Sequence, residues 1–183
     1  MNGSDITQRG LVLLLVVSSF CPAVYAGFKA EQHVIVQSET DEPTSVYAAD
    51  LDGDGDLDVL SASLGDDKIA WYANDGAGQF GPQQVITTEA RGASSVYAAD
   101  LDGDGDLDVL SASWDDDKIA WYANDGKGQF GPQQAITTEA DVARCVYAAD
   151  LDGDGDLDVL SASEWDHKIA WYANDGTGHF GPQ

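Results

Sequence analysis

Basic residues and cysteine are scarce in this chain. Its 183 residues include 8 Lys and Arg against 33 Asp and Glu, which gives a formal net charge of −25. A surface this acidic repels phosphate groups, so nucleic acid and anionic membrane surfaces are excluded as partners. Of the two cysteines, Cys21 lies in a segment that we expect to be removed, so Cys145 is left without an internal disulfide partner.

Long hydrophobic runs are also missing. The apolar run at residues 11–17 is too short to span a bilayer. It follows a polar start and precedes the small residues Val24 and Ala26, which is the pattern of a secretory signal peptide covering residues 1–26. We therefore expect residues 27–183 to be secreted and extracellular, with association with the cell surface as an alternative if the segment is retained.

The sequence is built on a repeat. The string VYAADLDGDGDLDVLSAS occurs unchanged at 46–63, 96–113 and 146–163, with a period of 50 residues. A period of this length indicates one supersecondary unit that is stacked several times. Cys145 falls where the other repeats carry Ser45 and Ser95. It is either a substituted serine of no consequence or a thiol for an intermolecular disulfide.

Each repeat contains an aspartate ladder, D-x-D-G-D-G-D-x-D. Five acids within nine residues repel one another unless a cation lies among them, and Ca²⁺ prefers six to eight oxygen ligands. The start resembles an EF-hand loop, but Ser61 stands where that loop needs its bidentate Glu. We predict a strand–loop–strand calcium site and about three ions per chain; a solvated acidic turn is the alternative, and Mg²⁺ suits the ladder less well.

The predicted metal ligands are the fifteen ladder acids. In each ladder the first, second, third and fifth would supply side-chain oxygens and the fourth a backbone carbonyl. They are Asp50, Asp52, Asp54, Asp56 and Asp58; Asp100, Asp102, Asp104, Asp106 and Asp108; and Asp150, Asp152, Asp154, Asp156 and Asp158.

Four short strands are predicted in each repeat. Apolar, aromatic and β-branched residues separated by Gly-rich and Asp-rich turns indicate strands at 46–51, 57–63, 68–73 and 85–88, the last preceded by Phe80. Four antiparallel strands per 50 residues are typical of a β-propeller blade. We therefore predict an all-β fold with blades near 46–88, 96–138 and 146–183.

The ladder, followed by KIAWYANDGxGxFG, resembles the FG-GAP/VCBS repeat of the integrin α-subunit head. The Phe-Gly pairs are Phe80-Gly81, Phe130-Gly131 and Phe180-Gly181, and the resemblance covers residues 28–183. It implies a calcium-binding β-propeller, usually of seven blades, with the ions on the face opposite the ligand face.

Three ladders are fewer than the four or so blades that a closed propeller needs. Residues 28–36 resemble a fourth strand and are expected to complete the last blade as an N-terminal closing strand. Three blades still leave exposed edges. Either the chain is part of a longer gene product, which we favour, or it is a homo-oligomer in which two chains pair into a six-bladed ring.

The repeats differ mainly in the loop between their second and third strands and in the crossover to the next blade. Trp114 and Trp165 lie in two of these loops. Such side chains could stack on a sugar ring or anchor a protein, unless the differences are neutral drift.

We expect a secreted calcium-binding module for adhesion, with an extracellular protein or glycan as partner, and not an enzyme. Three identical ladders indicate ion sites, and His33, His167 and His179 are isolated from one another in the sequence, so no catalytic residues are predicted. The alternatives are a non-catalytic propeller part of a secreted polysaccharide-active enzyme and a purely structural repeat scaffold.

Overall fold

Residues 33–182 are described by a computed structural model, and within them the chain forms eleven β-strands and no helix. The described residues therefore contain no helical segment with the length and apolar character needed to cross a membrane. The strands are β1 (Pro43–Ala49), β2 (Asp58–Ser63), β3 (Lys68–Tyr72), β4 (Gln84–Thr87), β5 (Ala93–Ala99), β6 (Asp108–Ser113), β7 (Lys118–Tyr122), β8 (Gln134–Thr137), β9 (Ala143–Ala149), β10 (Asp158–Ser163) and β11 (Lys168–Tyr172).

Each repeat forms its own antiparallel sheet, which confirms the predicted all-β fold of propeller-like blades. The sheet orders are β1-β2-β3-β4, β5-β6-β7-β8 and β11-β10-β9, so the third sheet has three strands among the described residues. The first strand begins at Pro43 rather than at the predicted Val46, because Pro43 still pairs with Ser63. It ends at Ala49 because the next residue, Asp50, turns its carboxylate back onto the loop.

The two faces of each sheet differ. Because side chains alternate along a strand, Leu60, Ala62, Ile69 and Trp71 lie on one face of the first sheet, and we call this the leucine face of a repeat. The opposite face of the first sheet carries Val46, Ala48, Val59 and Tyr72, and we call it the valine face. In the second sheet the same positions are Val96, Ala98, Val109 and Tyr122.

The core lies between consecutive sheets. The leucine face of the first repeat packs on the valine face of the second, and the leucine face of the second packs on the valine face of the third. Leu60 and Ile69 are fully buried there, and each contributes about 1.5–3 kcal/mol relative to an exposed position. The end faces remain exposed: Val46 on the first sheet is 71% exposed and Ile169 on the third is 85% exposed. The three sheets therefore do not close into a ring by themselves.

A column of tyrosines follows the innermost strands. The ring centroids of Tyr47 and Tyr97 lie 4.6 Å apart, and those of Tyr97 and Tyr147 lie 4.7 Å apart. Burial, together with hydrogen bonding to both neighbours, raises the pKa of Tyr97 above its usual range. The three rings, each tilted by 49–50° to the next, thus fix the spacing of the three sheets near their common axis.

The sequence predicts two features before the first sheet, a signal peptide and a closing strand. Of the expected closing strand at 28–36, residues 33–36 belong to no strand, and 28–32 lie outside the described residues. The predicted signal peptide at 1–26 also lies outside them and stays a prediction.

Candidate metal centre

The structure brings three of the five acids of each ladder together. Asp50, Asp52 and Asp58 each offer an oxygen within 4.8 Å of the others, and the same holds in the second and third repeats. Oxygens that share one Ca²⁺ each lie about 2.3–2.6 Å from it, so they are within about 5 Å of one another. The triads therefore have the donor type and the spacing of a metal site. They are Asp50, Asp52 and Asp58; Asp100, Asp102 and Asp108; and Asp150, Asp152 and Asp158.

The first acid of the ladder shapes the loop. Asp50 Oδ1 accepts the backbone N–H of Gly53 at 2.8 Å, and Asp50 Oδ2 accepts that of Gly55 at 3.0 Å. Both glycines have positive φ, 75° and 94°, which other residues adopt only with strain. Asp52 and Asp54 each accept the N–H two residues further on, in Asx turns. The alternation of Asp and Gly is thus what lets the chain turn tightly around its carboxylates.

The last acid of the ladder clamps the loop to the blade. Asp58, the first residue of β2, is fully buried. Its Oδ2 accepts the N–H of Leu51 at 2.9 Å, and its Oδ1 accepts that of Asn74, also at 2.9 Å. One carboxylate therefore holds the start of the aspartate loop and the start of the β3–β4 hairpin turn together. This dual role was not predicted from the sequence, which indicated a ligand only.

Burial and neighbouring acids disfavour the ionised form in this site. In the second repeat, burial raises the pKa of Asp108 to about 7, although the N–H groups of Asn124 and Leu101 act in the opposite direction. Burial also raises the pKa of Asp58, and burial together with the charge of Asp104 raises that of Asp102. A divalent cation among these groups would favour their ionised forms.

The remaining two acids of the ladder lie outside the triad. Asp54 is exposed. The carboxylate of Asp56 lies beside Gly76 in the hairpin turn, where a Cβ on Gly76 would come within 2.8 Å of three of its atoms. The predicted ligand roles of the third and fourth acids in each ladder stay predictions. Three lysines are engaged away from the triads: Lys68, Lys118 and Lys168 form ion pairs with Asp66, Asp116 and Asp166.

An asparagine that sequence reasoning assigned only to a turn ties neighbouring repeats together. Asn124 Nδ2 donates to the carbonyl of Leu51 in the preceding repeat at 2.8 Å and to that of Leu107 in its own repeat at 2.9 Å. Asn174 repeats the pattern with Leu101 at 2.7 Å. The only sequence signal was its fixed place after β3, β7 and β11. The ladder of one repeat and the hairpin turn of the next therefore share one end of the molecule and are bonded to each other.

The two tryptophans of the proposed ligand face differ in their surroundings. They lie at the opposite end, where the loop after β6 meets the crossover, as shown by the backbone N–H of Trp114, which donates to the carbonyl of Gly92 at 2.9 Å. Trp165 is 66% exposed. Trp114 is half-buried, with the guanidinium carbon of Arg144 3.8 Å from its ring centroid, and Arg144 is also paired with Glu164. One face of the Trp114 ring is therefore occupied, whereas Trp165 is open.

Calcium affinity in the second repeat is expected to depend on pH. Because Asp108 must lose a proton to bind a cation, its pKa of about 7 predicts an affinity about tenfold lower at pH 6 than at pH 8. Without metal, the stability of the fold changes with pH in the opposite direction to the calcium affinity. The folded-state pKa of Asp108 lies above the unfolded value of about 3.9, so the stability that neutral Asp108 contributes is lost as pH rises through about 7.

The pH effect can be measured by calcium titration of a chain with Asp52→Ala and Asp152→Ala, which leaves the second triad intact. The wild-type chain is the reference at each pH. Equal affinities at the two pH values would contradict the prediction.

The chain is similar to a known repeat family and to two solved structures. The model of a family described as FG-GAP-like repeat matches residues 50–111, 101–161 and 150–183. An Agrocybe aegerita lectin, whose structure concerns specific recognition of non-reducing terminal N-acetylglucosamine, is similar at 26% identity and a TM-score of 0.56 over 75% of this chain. The aligned region spans 36% of that lectin.

The Vibrio cholerae biofilm matrix protein Bap1 aligns at 23% identity and a TM-score of 0.35, over 74% of this chain and 27% of its own. A search of curated proteins found no match. The family model covers most of the chain, and its three matches follow the three aspartate ladders. The chain therefore belongs to the FG-GAP-like repeat family.

Proposed function

We propose that this chain is a secreted, calcium-binding repeat module that binds an extracellular glycan or protein and has no catalytic role. The observation that carries the proposal is the threefold occurrence of the same aspartate triad, each at the same place in its blade. An enzyme would need one asymmetric constellation of acid, base and orienting group, whereas a site repeated three times suits an ion that supports each blade.

Binding by modules of this kind is supported by the family and by the likeness to the lectin. Calcium at the triads would act at a distance from the ligand. The aspartate triads lie at the end of the blades that carries the hairpin turns, whereas Trp165 lies at the end that carries the crossovers. Calcium would therefore fix the positions of the strands, and the variable loops would contact the ligand.

Glycans that end in N-acetylglucosamine are the first ligands to test, because they are what the similar lectin is described as recognising. A glycan array would identify a ligand, and immobilised extracellular matrix would test for a protein partner. If the chain bound no glycan and no matrix protein in the presence of calcium, the result would favour a purely structural repeat scaffold. A hydrolase or lyase activity of the purified chain would overturn the proposal.

Trp165→Ala is expected to weaken ligand binding about 5- to 150-fold, since an exposed aromatic anchor contributes on the order of 1–3 kcal/mol. Trp114→Ala should have a smaller effect, because Arg144 covers one face of its ring. The double variant should abolish binding and leave the calcium-dependent melting transition unchanged, because neither side chain belongs to the two core clusters.

The measurement is binding of each variant to the ligand identified on the array. Lys127→Ala is the matched control, since Lys127 is exposed in the hairpin turn at the metal end. If that control lost binding while the double tryptophan variant bound normally, the assignment of the ligand to the crossover end would be wrong.

A further inference from the structure

We propose that the chain pairs head to tail with a second copy of itself: the leucine face of the third repeat binds the valine face of the first repeat of the other copy. Inside one chain this contact already occurs twice, between the first and second sheets and between the second and third. The two end faces carry the same residue types, because the repeats are nearly identical. Each end face is therefore complementary to the other end of a second chain.

The strand residues of the end faces are more exposed than their internal counterparts, with the exception of Tyr72, which is buried on the first sheet as Tyr122 is on the second. Ile169 is 85% exposed and Trp171 is 43% exposed, whereas Ile119 and Trp121 in the second repeat are buried against the third sheet. Val46 is likewise exposed, whereas Val96 is buried against the first sheet. Apolar side chains exposed together at both ends of a repeat array favour association.

Two close contacts recur between neighbouring repeats within the chain, a glycine on an indole and an asparagine bonded to a leucine carbonyl. At the two end faces, the equivalent residues have no neighbouring repeat to contact. A Cβ on Gly128 or on Gly178 would strike the ring of Trp71 or Trp121 of the preceding repeat, so these glycines pack directly on the indoles. A Cβ on Gly78 would meet nothing within 4 Å, and its expected counterpart is Trp171 of the second copy. In the same way, the carbonyl of Leu151 is in the position to accept the hydrogen bond that Leu51 accepts from Asn124, here from Asn74 of the second copy.

The third sheet also has an edge that the second copy can fill. In the first sheet, Ile69, Ala70 and Trp71 of β3 pair with Thr87, Val85 and Gln84. Residues 34–37 lie fifty residues before β4 and so occupy the equivalent position one repeat earlier. Val34 and Ile35 among them are exposed. A groove of about 520 Å³ runs along Lys168–Trp171. In the register of the first sheet, residues 34–37 of one copy would pair with β11 of the other.

The path of the chain into the first repeat supports this placement. The backbone carbonyls of Asp41 and Glu42 accept the backbone N–H groups of Gly65 and Leu64, both at 3.0 Å. Arg91 and Gly92 make the equivalent bonds in the second repeat, where the chain arrives from the fourth strand of the preceding sheet. Residues 34–37 therefore precede the first repeat as β4 precedes the second.

Two copies are the number that fits a ring. They provide six sheets, within the four to eight blades or so of closed propellers, whereas one copy provides three and three copies provide nine. Repeated head-to-tail contacts form a closed assembly when the rotation completes a circle. In a ring of six, both end faces of each chain are covered.

The contact between copies would be weaker than the contacts within a chain. Thr44 and Ser94 donate to the carbonyls of Ala93 and Ala143, both at 2.7 Å, but Arg144 stands at the third equivalent position. Ser95 Oγ also accepts the N–H of Val146 at 3.3 Å, and Cys145 is the next equivalent of that serine. The exposed thiol of Cys145 would then lie beside Val46 of the second copy.

Light scattering on a sizing column, with the full chain in calcium, should give twice the mass of one chain. Ile169→Asp and Val46→Asp should each raise the dissociation constant by about a hundredfold or more, since each buries a charge in one of the two paired faces. Trp165→Asp is the control and should remain dimeric, because Trp165 is exposed and outside both core clusters. Circular dichroism melts of the variants check that they fold.

Crosslinking tests the register. In a Cys21→Ser background, Val46→Cys should form a covalent dimer through the native Cys145 on oxidation, and Val46→Cys with Cys145→Ser should form none. A monomeric wild-type chain would overturn the proposal. So would a dimer that survives Val46→Asp but not Ile169→Asp, which would indicate that two leucine faces pair with each other. A dimer without the crosslink would also contradict the head-to-tail register.

Discussion

Removal of calcium is expected to lower the melting temperature of the chain by on the order of 20 °C. An ion that binds only the folded state stabilises it by about 2.7 kcal/mol at a concentration of one hundred times its Kd, so three sites would contribute about 8 kcal/mol. For a domain of this size, 1 kcal/mol shifts the melting temperature by about 2–4 °C. The physical basis is the cluster of carboxylates in each triad, which repel one another without a cation.

The measurement is a thermal melt in chelator, then in added calcium, at low salt so that sodium does not screen the acids. Calcium should restore the transition, and titration should find about three ions per chain. Magnesium at the same concentration is the control and should restore less, because it prefers to keep several of its waters. An unchanged melting temperature in chelator would contradict the prediction that calcium stabilises the fold.

Asp108→Ala is expected to destabilise the folded chain by about 2–6 kcal/mol in calcium at neutral pH. The substitution removes the acceptor of two N–H groups, those of Leu101 and Asn124, each bonded at 2.9 Å to a fully buried carboxylate. Each buried donor left without a partner costs about 1–3 kcal/mol. Asp108→Asn should cost roughly half as much, since its single oxygen can still accept one of the two bonds.

Asp104→Ala is the matched control in the same ladder. Asp104 is exposed and accepts one N–H, that of Asp106, so its loss should affect the fold little while weakening one calcium site of the three. Urea denaturation of the three variants, with and without calcium, separates the two effects. If Asp108→Ala and Asp104→Ala were equally destabilising in chelator, the two hydrogen bonds that Asp108 accepts would not stabilise the fold as predicted.

The sequence was sufficient to predict the features that depend on local order. Three identical copies place β2, β3 and the ladder in phase, and alternation along the strands predicts which side chains share a face. Asp50 with Gly53 and Gly55 forms a loop from residues adjacent in the chain, so its turn could be anticipated from the pattern alone.

Features that depend on contact between repeats could not be predicted in this way. Asn124 bonds to a carbonyl 73 residues earlier, and nothing in a turn motif indicates that distance. The division of the ladder into a triad and two outlying acids depends on where Asp58 is buried and on where Gly76 lies against Asp56. The unequal exposure of Trp114 and Trp165 depends on Arg144, a residue of the crossover.

The uniform pairing of leucine face on valine face has a consequence for how such a chain can evolve. Every junction between repeats joins the same two surfaces, with the same glycine against the same indole. Unequal recombination that inserts or deletes one 50-residue unit would therefore again place a leucine face on a valine face of nearly identical residues. Repeat number can therefore change in a single genetic step while the apolar core between neighbouring sheets keeps the same residue types.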